Sequence, residues 1–89
     1  MPTSGTVSYT LYGSESAYFR VKADGTYKIY ISDGNSNSSI TIQVTDNSGD
    51  TTSQTITYGA PCTLSLESGN SVKLTNNTQN RIPYAISVS

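Results

Sequence analysis

The chain contains no histidine and no tryptophan, one cysteine, and few charges of either sign. Each scarcity closes a class of function. Without histidine the commonest general base is missing, and with it the usual partner of a serine or cysteine nucleophile. One cysteine and no histidine cannot assemble an ordinary zinc site. The same lone Cys62 excludes an internal disulfide, and its place in an apolar alternation reads as a small buried hydrophobe. A net charge of −1 lacks the basic excess that nucleic-acid binding needs. No stretch approaches the roughly 20 apolar residues of a membrane-spanning helix. Met1-Pro2-Thr3-Ser4-Gly5 has neither the basic start nor the apolar run of a secretory signal. The sequence therefore reads as non-enzymatic, with no cofactor, no nucleic acid and no membrane insertion.

What is abundant is Ser, Thr, Asn and Gly, set among short apolar alternations. With only 12% charged residues, this neutral, hydroxyl-rich composition suits an extracellular or virion surface. Eighty-nine residues make one domain, 1–89, with a thin core.

The alternation has period two almost throughout, which places successive side chains on opposite faces of a strand. Val7, Tyr9 and Leu11 face inward on a first strand. Ala17, Phe19 and Val21 do so on a second, and Tyr27, Ile29 and Ile31 on a third. Ile40, Ile42 and Val44 mark a fourth. Residues 51–58 are mostly threonine and serine, with Ile56 and Tyr58 able to reach a core, and read as an edge strand. Cys62, Leu64 and Leu66 form a sixth strand, Val72 and Leu74 a seventh, and Tyr84, Ile86 and Val88 the last. No segment has a period near 3.6, so no substantial helix is expected. Seven to eight short strands separated by dense turn signals predict an all-β, antiparallel two-sheet sandwich, Ig-like or jelly-roll.

Ala23-Asp24-Gly25 has the chemistry of a three-residue hairpin loop. A hairpin there sets Lys22 opposite Thr26, Val21 opposite Tyr27, Phe19 opposite Ile29 and Ala17 opposite Ile31. Its outer face would then join Tyr18 to Tyr30 and Arg20 to Lys28, with Lys22 beside the turn. Two aromatic rings and three cations on one surface are the candidate ligand-binding site, suited to a polysaccharide or a protein partner. The plainer reading is cross-strand stabilisation of a hairpin.

Asp46-Asn47-Ser48-Gly49-Asp50 offers hard oxygens around a glycine. Asp46 and Asp50 are thus candidate calcium ligands, against the ordinary reading of an Asx-rich turn. Asn37-Ser38-Ser39 and Asn76-Asn77-Thr78 fit the N-glycosylation triplet and mark loops expected to be exposed.

Tyr18-Phe19-Arg20-Val21, Gly25-Thr26-Tyr27-Lys28-Ile29-Tyr30-Ile31, the run from Ile40 through Gly49, and Tyr84-Ala85-Ile86-Ser87-Val88 together resemble the bacterial pre-peptidase C-terminal domain. These segments span about three-quarters of the chain in the family's order. The resemblance implies a β-sandwich appended to a secreted enzyme that does no chemistry itself. Ser38 and Ser39 stand where the family often has aspartates, and Gly69-Asn70-Ser71-Val72 replaces its later Gly-Thr-Tyr strand start, so no site residue is inherited.

Two functions follow. One is a non-catalytic extracellular accessory or adhesion module, whose Met1 would mark an excised piece of a longer protein. The alternative is a small phage virion protein, a capsid decoration or fibre component, associating with itself or a capsid.

Overall fold

A computed structural model describes residues 4–89, leaving Met1, Pro2 and Thr3 of the leader reading outside the described residues. Eight strands follow one another: β1 (Gly5–Leu11), β2 (Ser16–Arg20), β3 (Gly25–Ile31), β4 (Ser39–Thr45), β5 (Thr51–Thr57), β6 (Cys62–Leu66), β7 (Ser71–Asn76) and β8 (Ile82–Val88). Among the described residues there is no helix. The strands form two four-stranded antiparallel sheets, ordered β1-β8-β3-β6 and β2-β7-β4-β5.

That order resolves the choice left open by pattern alone. The pairs β1·β8, β2·β7, β3·β6 and β4·β5 nest one inside the next, as if a long hairpin had been rolled into two layers. This is a jelly roll. The alternation works as expected in building the core. Leu11, Tyr27, Ile29 and Ile86 from one sheet meet Ile40, Ile42, Val72 and Leu74 from the other, all at most 1% exposed. Removing any of these to alanine costs about 2–5 kcal/mol, so the core has little redundancy. Cys62 is buried among them.

The hairpin expected at Ala23-Asp24-Gly25 does not exist. β2 lies in one sheet and β3 in the other, and the segment between them crosses the sandwich. The Val21 amide donates to the Asn70 carbonyl at 2.8 Å and the Val21 carbonyl accepts from Gly69 at 2.8 Å, so β2 leaves its sheet alongside the β6–β7 turn. Asp24 then accepts from the Ser68 amide at 2.8 Å, and Thr26 exchanges backbone bonds with Ser89 as β3 enters beside β8. The Tyr27 hydroxyl donates to the Ala23 carbonyl at 2.6 Å and fixes the corner. Val21 and Tyr27 still share the core, but from facing layers instead of neighbouring strands. Ser68-Gly69-Asn70 likewise carries the chain between sheets.

Three further expectations need correcting, the first at Val7, which is expected to face inward but is 37% exposed near the start of β1. Tyr58 turns outward at 47% exposure, because β5 ends at Thr57 and Gly59 and Ala60 close a tight turn beyond it. Asn76, expected to open a polar loop, is instead the last residue of β7 and 1% exposed. β5 is an edge strand as expected. Its threonines pair outward with those of β4, Thr45 with Thr51 at 3.0 Å and Thr41 with Thr55 at 3.4 Å.

Candidate functional site

Loss of the hairpin divides four of the five candidate binding residues between opposite faces of the sandwich and leaves the fifth on neither. Tyr18 and Arg20 lie on the outer face of the β2-β7-β4-β5 sheet, opposite Lys73 and Ser71. Lys28 and Tyr30 lie on the outer face of the other sheet. Lys28 sits between Thr63 and Ser87, and Tyr30 stands opposite Ala85. Lys22 belongs to neither, because it falls in the crossing segment after β2. No single Tyr/Arg/Lys patch forms.

Each face nevertheless keeps one tyrosine with one lysine. The Lys73 ammonium lies 5.6 Å from the centre of the Tyr18 ring, and that of Lys28 lies 5.4 Å from the centre of Tyr30. Both distances fall within cation–π range, worth about 0.5–1 kcal/mol at exposed positions. Lys73 was missed as a partner because only the observed β2·β7 register brings it to Tyr18. Tyr18 is 72% exposed, which leaves one ring face free for a partner. It edges a depression of about 160 Å³ with Gln43, Thr45, Ser71 and Lys73. Across the sheet, Tyr18, Lys73, Gln43 and Ser53 stand in one row, and Arg20, Ser71, Thr45 and Thr51 in the next. This face combines an aromatic platform with uncharged hydrogen-bonding groups.

The turn at Asp46 has a local explanation. Asp46 Oδ1 accepts from the amides of Ser48 at 2.8 Å and Asp50 at 3.0 Å, while the Asp46 carbonyl accepts from Gly49. The oxygen proposed for calcium is thus engaged in closing its own turn, with Gly49 in the left-handed region at φ 89°. Among the described residues, no three acidic or sulfur side chains gather where they could hold a metal.

The loops at one end of the sandwich form a second, larger feature that pattern reading missed. Arg81, Asp33, Thr10 and Pro83 line a cleft of about 260 Å³. Beside it, sharing Gly34 and Arg81, lies a cleft of about 230 Å³ lined by asparagine and hydroxyl side chains. Asn76 organises this end. Its Nδ2 donates to the carbonyls of Leu11 and Tyr12 at 3.1 Å and Asn80 at 2.7 Å, and its Oδ1 accepts from the amide and hydroxyl of Thr78 at 2.8 Å. So engaged, Asn76 cannot serve as a glycosylation acceptor, whereas Asn37 is exposed. An apolar-polar alternation gives no sign that a strand-ending asparagine points inward.

Two other side chains have altered acidity. Burial pushes the Cys62 thiol up, partly offset by backbone hydrogen bonding. Tyr84, stacked on Tyr9 with ring centres 5.4 Å apart, is pushed up to about 12 by burial and then by Tyr9 and Glu15. Both groups are neutral near pH 7, which is the form a core accepts.

No family model matches the chain, and no curated protein matches it in sequence. Solved structures match it in fold. The C-terminal domain of A223, a structural protein from Sulfolobus turreted icosahedral virus, superposes with a TM-score of 0.72 at 15% identity, over 97% of this chain and 96% of that one. The Drosophila melanogaster CENP-C cupin domain gives 0.74 at 8% identity over 99% of this chain. In a second structure CENP-C is bound to CAL1, with a TM-score of 0.73. This chain spans 62% and 64% of those two chains, under two thirds of either. The Yersinia pseudotuberculosis-derived mitogen matches at 0.59 and 17% identity. At such identities the likeness shows a shared β-sandwich fold.

Proposed function

We propose that the domain is a non-catalytic structural domain of a virus particle, held to a protein neighbour through the outer face of the β2-β7-β4-β5 sheet around Tyr18. The observation that carries this reading is the end-to-end match with the viral structural domain, in which 97% of one chain covers 96% of the other. A free aromatic face beside Lys73, Gln43 and Ser71 supplies what a protein contact needs: rigid area at low entropic cost, bordered by polar groups. A second reading has its own support. Lys28 and Tyr30 repeat the tyrosine–lysine pairing on the opposite face, which suits an extracellular accessory or adhesion module gripping a polymer or protein.

The test is to purify particles from a culture of the source on a density gradient, with a photo-cross-linking amino acid in place of Tyr18. A cross-link from position 18 to another particle protein supports the virion role. Recovery of the domain only in the cell envelope or the medium refutes it and favours the adhesion module.

A further inference from the structure

We propose that the paired clefts around Arg81 bind a neutral saccharide, through hydrogen bonds to adjacent sugar hydroxyls. This goes beyond the particle role, and concerns the loop end of the sandwich, not its sheet faces.

The chemistry of the lining selects the ligand. Asp33 accepts hydrogen bonds only, Arg81 donates only, and both line the first cleft. A ligand carrying net charge of either sign gains from one and is repelled by the other. Vicinal hydroxyls escape this conflict, because one donates to the carboxylate while its neighbour accepts from the guanidinium. Each such charge-assisted bond is stronger than its neutral counterpart. The adjoining cleft continues the pattern with Asn37, Thr78 and Asn80, side chains that both donate and accept. Pro83 adds an apolar surface for the C–H face of a ring. At about 260 and 230 Å³ the two clefts are open and mostly polar, unlike a pocket for an apolar molecule.

The site is also assembled before any ligand arrives. Asn76 ties the 77–81 loop to the end of β1, and the Ser14 amide donates to the Thr78 carbonyl at 2.9 Å. Asn77 anchors the same loop to β4 by donating to the Ser39 and Thr41 hydroxyls at 3.0 and 2.8 Å. On the other side, Asn35 Oδ1 accepts from the Asn37 amide at 2.8 Å, and Asn35 receives a second bond from Ser38. A Cβ on Gly34 would collide with the Ser38 hydroxyl, so glycine allows the 32–38 loop to close against itself. Ordering entropy lost during folding is not lost again on binding.

The experiment is a backbone amide NMR titration of the whole chain with methyl glycosides of glucose, galactose, mannose and N-acetylglucosamine, and with glucuronic acid as the charged comparator. Concentrations rise to about 50 mM, the range a shallow site requires. We expect saturable shifts at Gly34, Asn80 and Arg81 with at least one neutral glycoside. Arg81→Ala and Asp33→Asn should each weaken that binding about tenfold or more, as loss of a charge-assisted bond dictates. Tyr18→Ala should leave it unchanged, which separates this site from the particle contact. Glucuronic acid should bind less well than the neutral sugar and gain on Asp33→Asn, where the repelling carboxylate is gone. Silence at Gly34, Asn80 and Arg81 with every neutral glycoside overturns the proposal, as does equal binding of glucuronic acid by the unaltered chain.

Discussion

Replacing Asn76 by alanine should be the most damaging polar substitution in this domain. The side chain is 1% exposed and satisfies the carbonyls of Leu11, Tyr12 and Asn80 and the amide of Thr78. Its two amide hydrogens serve three carbonyls, so at least one is shared. Truncation strands these four groups together. A buried group left without a partner costs about 1–3 kcal/mol. The bond to Leu11 is fully buried, and the others lie nearer the surface where water can substitute in part. The total is therefore about 3–4 kcal/mol. A domain of 89 residues has about 4–13 kcal/mol to lose, at 0.05–0.15 per residue. Urea unfolding followed by tyrosine fluorescence reads the effect directly. With a slope of about 1 kcal/mol/M the midpoint should fall by about 3 M. Asn70→Ala is the control, because the Asn70 side chain accepts one hydrogen bond, from the Glu67 amide at 2.9 Å, and its loss should cost about 1 kcal/mol. Asn76→Asp sharpens the test. At neutral pH its carboxylate would face three carbonyls, so it should be less stable than the alanine variant. Protonation restores one donor, so its stability should recover as pH falls. If Asn76→Ala costs no more than Asn70→Ala, the network does not hold the loop end together and the reasoning fails.

Other consequences are open to direct measurement. Tyr84 has a raised pKa of about 12 when folded and an ordinary value near 10 when unfolded. The folded state thus holds its proton more tightly, and about 2–3 kcal/mol of stability is intact below pH 10 and lost as pH rises toward 12. Tyr84→Phe should flatten this alkaline limb, and an unchanged limb would show that another group titrates there. Gly69→Ala places a Cβ 2.5 Å from Asn47 Oδ1 at φ +97°, whereas Gly59→Ala, at φ +87°, meets open space. Both incur the backbone cost of about 1–2 kcal/mol, so the excess loss of melting temperature at Gly69 isolates the collision. Expressed through a eukaryotic secretory pathway, the chain should carry one glycan at most, at Asn37. A peptide map showing modified Asn76 would contradict its burial.

Legibility in the sequence was uneven for physical reasons. Period-two alternation located all eight strands, because a half-buried strand must show one face to the core. The threonine-rich edge at 51–57 was legible too, since a polar strand with one buried apolar residue has no place in a sheet interior. Strand partners were not. Val21 and Tyr27 alternate identically whether their strands lie side by side or face each other across the core, so a hairpin and a sandwich corner leave the same pattern. The candidate surface inherited that ambiguity and split when the corner proved to be a crossing. Arg81 and Asp33 could not be found at all, since they lie in separate loops with no shared spacing. Their neighbourhood depends on β1 and β3 ending where β8 begins, which is a property of the register.

The nested pairing also constrains how the chain can fold. Only β4 and β5 are neighbours in sequence and partners in a sheet, joined by the short turn capped by Asp46. Every other pairing spans a longer stretch of chain, up to Gly5 with Val88. Closing the outermost pair first would forfeit the entropy of nearly the whole polypeptide. Closing β4·β5 first shortens the loop that β4·β7 and β3·β6 must bridge, and these in turn shorten the rest. The topology therefore favours folding from the middle of the sequence toward its ends, at the slow rates typical of non-local β proteins. Substitutions in the Asp46 turn should then slow folding, while those in β1 should mainly speed unfolding.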